Sequence, residues 1–228
     1  PHHLVDISTP DRPITAAEYQ ELARAAITEI RGRGKVPLLV GGTGLYVDAV
    51  VFNYSFTAAA ASAEREQLSQ LDVAELQRQL QERSIALPQN AQNKRHLVRQ
   101  LERSGQSGTR THLQPGTLLL GLQLTTATMQ ERIRTRVKAM MEAGLELEVR
   151  DLVGQYGWNK VLSQTIGYQE FMPYFRGEAS IEDVEADIAR NSLRYAKRQR
   201  TWFRRNRQII FLEDVADADD LVTTFLNN

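Results

Sequence analysis

The sequence predicts an α/β protein, and three observations carry that expectation. Val36, Leu38, Leu39 and Val40 form a short apolar run without polar alternation, the pattern of a strand buried on both faces of a parallel sheet. A helix over Ala16–Arg31 precedes it and is closed by Gly32 and Gly34, which gives half of a β-α-β unit. Apolar runs return at Thr117–Leu124 and Ile209–Leu212, where the chain is expected to re-enter the sheet.

The elements follow in order. Leu4, Val5 and Ile7 suggest an extended segment, and His2 and His3 suit its start better than a metal pair, since no third ligand has fitting spacing. Thr15 and Glu18 have capping-box spacing, and Tyr19, Leu22, Ala23, Ala26, Ile27 and Ile30 mark the apolar face of the first helix. The central run ends in Gly41-Gly-Thr-Gly44, where glycines let backbone turn sharply or approach a ligand closely. This is either a tight strand-to-helix connection or a site at the carboxyl edge of the sheet. It matches neither GxxxxGK[ST] nor GxGxxG.

Beyond the apolar segment Val47–Phe52, composition becomes polar. Leu68, Leu71, Leu76 and Leu80 supply one thin stripe, and Leu97, Val98 and Leu101 face inward from a helix over Asn90–Glu102. Residues 53–108 therefore read as a helical lobe inserted in a core made of residues 1–52 and 109–228. Gly105–Gly116 reads as a mobile connector. Helices are expected over Thr128–Ala143, from Leu145 to Gly154 or Gly157, and over Ile181–Arg204, the last opened by the capping-box spacing of Ser180 and Asp183.

The net charge of zero conceals an uneven distribution. Every charged residue from Arg190 to Arg207 is basic, and every one from Glu213 to Asp220 is acidic. Tyr195, Trp202 and Phe203 lie among the basic groups, where rings can stack on unpaired bases while cations hold the backbone; pairing with the acidic stretch is the alternative. Lys94, Arg95, His96, Arg99 and Arg103 leave a second basic rim, read either as solvated surface or as a binding face. Arg132 and Arg136 stand one helical turn apart and present a fork suited to oxyanions, or else an ordinary solvated face. Cysteine is absent, which excludes disulfides and thiolate nucleophiles and fits the cytoplasm. No run has the length of a membrane span, and no Ser-His-Asp order, CxxC, HExxH or paired-acid signature occurs.

The ordered set Pro1-His-His-Leu-Val-Asp6, Val40-Gly-Gly-Thr-Gly-Leu-Tyr46, Asn93–Glu102, Arg132–Val137, Gly144–Val149, Ile166-Gly-Tyr-Gln-Glu170 and Tyr195–Phe203 resembles the tRNA dimethylallyltransferases. The resemblance covers nearly the whole chain apart from the middle lobe. It implies a P-loop nucleoside-kinase-like parallel sheet core with an inserted helical lobe and a helical C-terminal region. It also implies transfer of a dimethylallyl group from dimethylallyl diphosphate to N6 of the adenosine 3′ of the anticodon (position 37), with Mg²⁺ as cofactor, the tRNA anticodon stem-loop as partner, and a cytoplasmic monomer.

Carried over by position, Arg136 is similar to the family's catalytic arginine, which neutralises charge on the departing diphosphate, and Arg132 is its neighbour. Thr43 resembles the residue beside the flipped adenine, with Gly41, Gly42 and Gly44 shaping the substrate channel. Arg95, His96, Leu97, Val98 and Arg99 resemble one tRNA-contacting segment. Gln164, Thr165, Ile166, Gly167, Tyr168 and Gln169 resemble a second, in which Gln169 stands where a basic residue is common. Lys197, Arg198, Gln199, Arg200, Thr201, Trp202, Phe203 and Arg204 resemble a third. The family's phosphate loop and its aspartate base belong upstream of Pro1, and the sequence opens without methionine. The expectation is therefore an N-terminally truncated chain that lacks most Mg²⁺ ligands and is inactive alone. The alternatives are a non-catalytic RNA-binding module and, more remotely, a P-loop nucleotide kinase.

Overall fold

In a computed structural model the described residues are 1–56, 62–104 and 112–227, and they fall into two compact units. One comprises Pro1–Val47 with Pro115–Asn228, the other Asp48–Gln114. Residues 57–61 and most of the expected Gly105–Gly116 connector lie outside the described residues.

The larger unit begins with helix α1 (Ala16–Gly32), whose N-cap Thr15 and Glu18 form the expected reciprocal capping box. Helix α2 (Gly44–Val51) starts in this unit and carries the chain into the other. Tyr46, on its first turn, stacks against Tyr19 of α1 with ring centroids 5.1 Å apart and donates its hydroxyl to the Ile14 carbonyl at 2.9 Å.

The body of the unit is helical. Helices α6 (Thr126–Glu142), α7 (Leu145–Tyr156), α8 (Phe171–Phe175) and α9 (Ile181–Phe203) bury Val137, Leu145, Val149, Phe171, Val184 and Ile188 in one cluster. Ile133, Met140, Met141 and Tyr168 pack against that cluster, so the methionines fill core gaps. Gly144 separates α6 from α7 with φ of 96°, a left-handed turn that a side chain would strain. Helix α10 (Ala218–Leu226) closes the chain.

In the smaller unit, α3 (Ser62–Gln70), α4 (Val73–Glu82) and α5 (Lys94–Glu102) enclose Leu68, Leu76, Leu80, Leu97, Val98 and Leu101. The Asp72 carboxylate accepts from the Glu75 amide and starts α4 as a separate helix.

The expected kinase-like parallel sheet core is overturned, because the described structure is predominantly helical. Its one sheet has two strands, β1 (Leu120–Leu122) and β2 (Ile210–Leu212), paired in parallel with Leu120 opposite Ile210 and Leu122 opposite Leu212. Val36–Val40 forms no strand, and Leu38 and Val40 are 85% and 89% exposed. An apolar run becomes a buried strand only where neighbours pair its backbone and layers cover its faces. No described strand does so here. The extended segment expected at Leu4–Ile7 is a series of bends in which Leu4 and Asp6 have positive φ, and Val5 and Ile7 face solvent.

Candidate functional site

The glycine-threonine turn lies on helix α9. Thr43 Oγ1 is 3.2 Å from the Tyr195 hydroxyl, joining residues 152 positions apart. A Cβ at Gly42 would stand 2.1 Å from Gln199 Nε2, and one at Gly44 would stand 2.2 Å from Trp202 Cδ1. Both positions therefore bring backbone close against α9 side chains, at Gly44 against a ring that leaves no room for a side chain. Tyr195, Gln199 and Trp202 lie at i, i+4 and i+7, one stripe of the helix facing the turn.

Beside that stripe runs a basic face. Arg194, Lys197, Arg198, Thr201, Trp202 and Arg205 line an open groove of about 450 Å³. The Arg198 guanidinium lies over the Tyr195 ring at 5.5 Å from its centroid, a cation–π arrangement. No carboxylate among the described residues forms an ion pair with these groups, although Arg190, a turn earlier, is bound to Asp187 at 2.5 Å. The acidic stretch from Glu213 onward thus leaves the basic groove unneutralised. Such a face combines phosphate-binding cations with an exposed indole and suits single-stranded nucleic acid. Gln199, Arg200 and Phe203 are half-buried, whereas Lys197, Arg198, Thr201, Trp202 and Arg204 are exposed.

Arg132 and Arg136 are exposed on α6, whose adjoining face carries Ile133 and Val137 into the core shared with α9. Neither makes an ion pair or side-chain hydrogen bond among the described residues. Their charge is therefore available to an external anion.

The segment Gln164–Gln169 is a chain of turns ahead of α8. Gln164 is exposed, Gly167 is buried with φ of 98°, and Ile166 and Tyr168 pack on the core. The Thr165 hydroxyl donates to the Val161 carbonyl at 2.8 Å. The Tyr168 hydroxyl donates to Glu148 of α7, and burial, reinforced by that carboxylate, pushes the phenol up to about 12. Glu170, absent from the sequence-derived set, is buried beneath this segment and accepts a hydrogen bond from the Gly167 amide at 2.8 Å.

In the smaller unit, Arg95, His96 and Arg99 are exposed on α5, while Leu97 and Val98 are buried in its core. Burial, then the like charge of Arg99, holds the Arg103 guanidinium below its ordinary value. Among the described residues no group of three or more His, Asp or Glu side chains could hold a metal ion. None of their helices is long and apolar enough to cross a membrane.

A family model described as IPP transferase matches residues 1–206. The chain belongs to the IPP transferase family. Among similar members of that family, the tRNA dimethylallyltransferase of Bacillus licheniformis is 39% identical, over 93% of this chain and 73% of its own length. That of Bacillus subtilis is 37% identical, over 96% of this chain and 75% of its own. The solved tRNA isopentenylpyrophosphate transferase of Bacillus halodurans, 32% identical, superposes with a TM-score of 0.69 over 100% of this chain and 77% of that one.

Proposed function

We propose that this IPP transferase family chain transfers a dimethylallyl group from dimethylallyl diphosphate to N6 of the adenosine 3′ of the tRNA anticodon. The observation that carries the reading is the Thr43 turn seated on the aromatic stripe of α9, next to a basic groove that forms no ion pair with a carboxylate among the described residues. The relatives named tRNA dimethylallyltransferase give it its substrates.

In this reading the basic face of α9 holds anticodon-loop phosphates, and Trp202 offers a stacking surface to a base drawn out of the loop. Thr43, held by Tyr195, meets the extruded adenine with its hydroxyl. N6 forms a bond to the allylic carbon, that carbon's bond to oxygen breaks, the electron pair leaves with the diphosphate, and N6 sheds one proton to water. Arg136, aided by Arg132, stabilises the charge that grows on the leaving group, which is where electrostatic help lowers the barrier most. Arg95, His96 and Arg99 give a further phosphate contact from α5, and Gln164–Gln169 another. Mg²⁺ belongs with the diphosphate in the family resemblance, but the described residues offer no cluster to hold it, and no step here passes through it.

The test is complementation. Cells lacking the tRNA prenyl modification receive the complete reading frame that carries this sequence, and their tRNA nucleosides are weighed by mass spectrometry. N6-dimethylallyl adenosine appears with the natural protein. It falls at least about tenfold with Arg136→Ala, a loss of roughly 1.4 kcal/mol of transition-state stabilisation, while tRNA affinity stays within about twofold. Absence of the modified nucleoside with the natural protein would overturn the function. Full modification with Arg136→Ala would remove that residue's role alone.

A further inference from the structure

Glu170 is 6% exposed, and no Lys, Arg or His among the described residues forms an ion pair with it. A buried carboxylate without a cation must be held by hydrogen bonds. Three donors converge on it. The Gly167 amide binds Oε2 at 2.8 Å, and Asn191 Nδ2 of α9 and Gln169 Nε2 bind Oε1 at 2.7 and 3.1 Å. Asn191 in turn accepts from Arg194 Nη1 through Oδ1 at 3.3 Å. Its amide is thereby oriented from both ends, by an acceptor on one side and a donor on the other. Arg194 lines the basic groove.

We propose that Glu170 is a positioning residue that locks the Gln164–Gln169 turn to α9 through Asn191 and so fixes that turn relative to the Arg194 end of the basic face. Its consequence for RNA rests on the reading above. The chemistry demands an acid at this position. Both oxygens face donors, and a glutamine would turn its amide nitrogen toward one of them. Exchanging the two chemistries restores the match. In the Glu170→Gln/Asn191→Asp pair, the amide nitrogen now at position 170 donates to the carboxylate now at position 191. The amide oxygen accepts from the Gly167 N–H, and the second oxygen of the new carboxylate accepts from Arg194. The half-buried Gln169 amide can reverse to accept from the new amide at position 170.

The experiment compares the protein encoded by the complete reading frame that carries this sequence, its Glu170→Gln variant and the double exchange. Anticodon stem-loop affinity is measured by fluorescence anisotropy and exchange of the Gly167 amide by NMR. Glu170→Gln is expected to weaken RNA binding about tenfold and to speed Gly167 exchange by at least that factor, the size expected for one unsatisfied buried hydrogen bond. The double exchange is expected to return both within about threefold of the natural chain, a recovery that loss of packing alone would not give.

Unchanged Gly167 exchange in Glu170→Gln, or a double exchange that recovers neither quantity, would overturn the lock. If Glu170→Gln fails to fold, the double exchange still has to fold and protect Gly167, and its failure counts against the proposal. Fast Gly167 exchange with undiminished RNA affinity would overturn the positioning role. If the natural chain does not bind the stem-loop, the RNA reading falls and takes that role with it, while the Gly167 measurements still decide the lock.

Discussion

At Gly44 the missing Cβ matters because its place is taken by Trp202. An alanine methyl there would overlap Cδ1, Nε1 and Cγ of a rigid indole, at 2.2 to 2.5 Å. At Gly42 the overlapping group is the end of the Gln199 side chain, which can swing aside. Gly44→Ala should therefore destabilise the larger unit by about 1–3 kcal/mol, the usual range for overpacking, even after up to about 1 kcal/mol of helix propensity is gained in α2. Gly42→Ala should cost less, and Trp202→Ala should relieve most of the Gly44→Ala penalty. Urea midpoints of the three variants and the double check this. Equal losses at the two glycines, or no relief from Trp202→Ala, would show that the contact does not constrain the turn. The glycines and Thr43 were legible in the sequence as a place of close approach, and the stripe of Tyr195 and Trp202 as aromatic rings among cations. That the two meet was not, because a contact across 152 residues leaves no local pattern. Glu170 was equally hidden, since an acid in a turn looks the same whether it is solvated or receives three buried hydrogen bonds.

Helix α9 gathers these contacts, so its start is a place where local chemistry acts on the site. Ser180 Oγ accepts from the Asp183 amide at 3.2 Å, and the Asp183 carboxylate accepts from the Ser180 amide at 2.9 Å. Ser180→Ala should lower stability by about 1 kcal/mol, as lost N-caps do. Hydrogen bonds from the Ser180 backbone, then from its side chain, hold the Asp183 carboxyl below its ordinary value of 3.8. Because the folded value is the lower one, this contribution is present above the ordinary value and fades as pH falls through the folded one. Thermal melts at neutral pH and in acid should show a larger loss on acidification for the natural chain than for Asp183→Asn. Parallel pH profiles would remove the capping carboxylate from the account. Capping spacing at Thr15 and Ser180 was legible because a cap is decided within four residues. The break between α3 and α4 falls inside the single stripe read over Leu68, Leu71, Leu76 and Leu80, because Asp72 starts its helix within one polar stretch.

For the whole molecule, the helices and the two strands near Leu120 and Ile210 were legible, and the exposure of the Val36–Val40 run was not. A helix satisfies its backbone internally, but a strand depends on distant partners. Val36–Val40 has the composition of a sheet interior and lies exposed, whereas Leu120–Leu122 and Ile210–Leu212, no more apolar, pair across the helices between them. The two units also carry separate cores, one around Leu76, Leu80 and Leu97, the other around Val149, Phe171 and Ile188, with no residue in common. That separation makes a prediction about cooperativity. Leu97 is fully buried, so Leu97→Ala should cost about 2–5 kcal/mol through lost transfer energy and the cavity left behind. The loss should fall on the smaller unit, to whose core Leu97 belongs. Hydrogen exchange should then accelerate in α4 and α5 and leave α6 and α9 protected, with stem-loop binding weakened only by the share contributed by Arg95, His96 and Arg99. Equal acceleration in α6 and α9 would mean that the two units unfold as one.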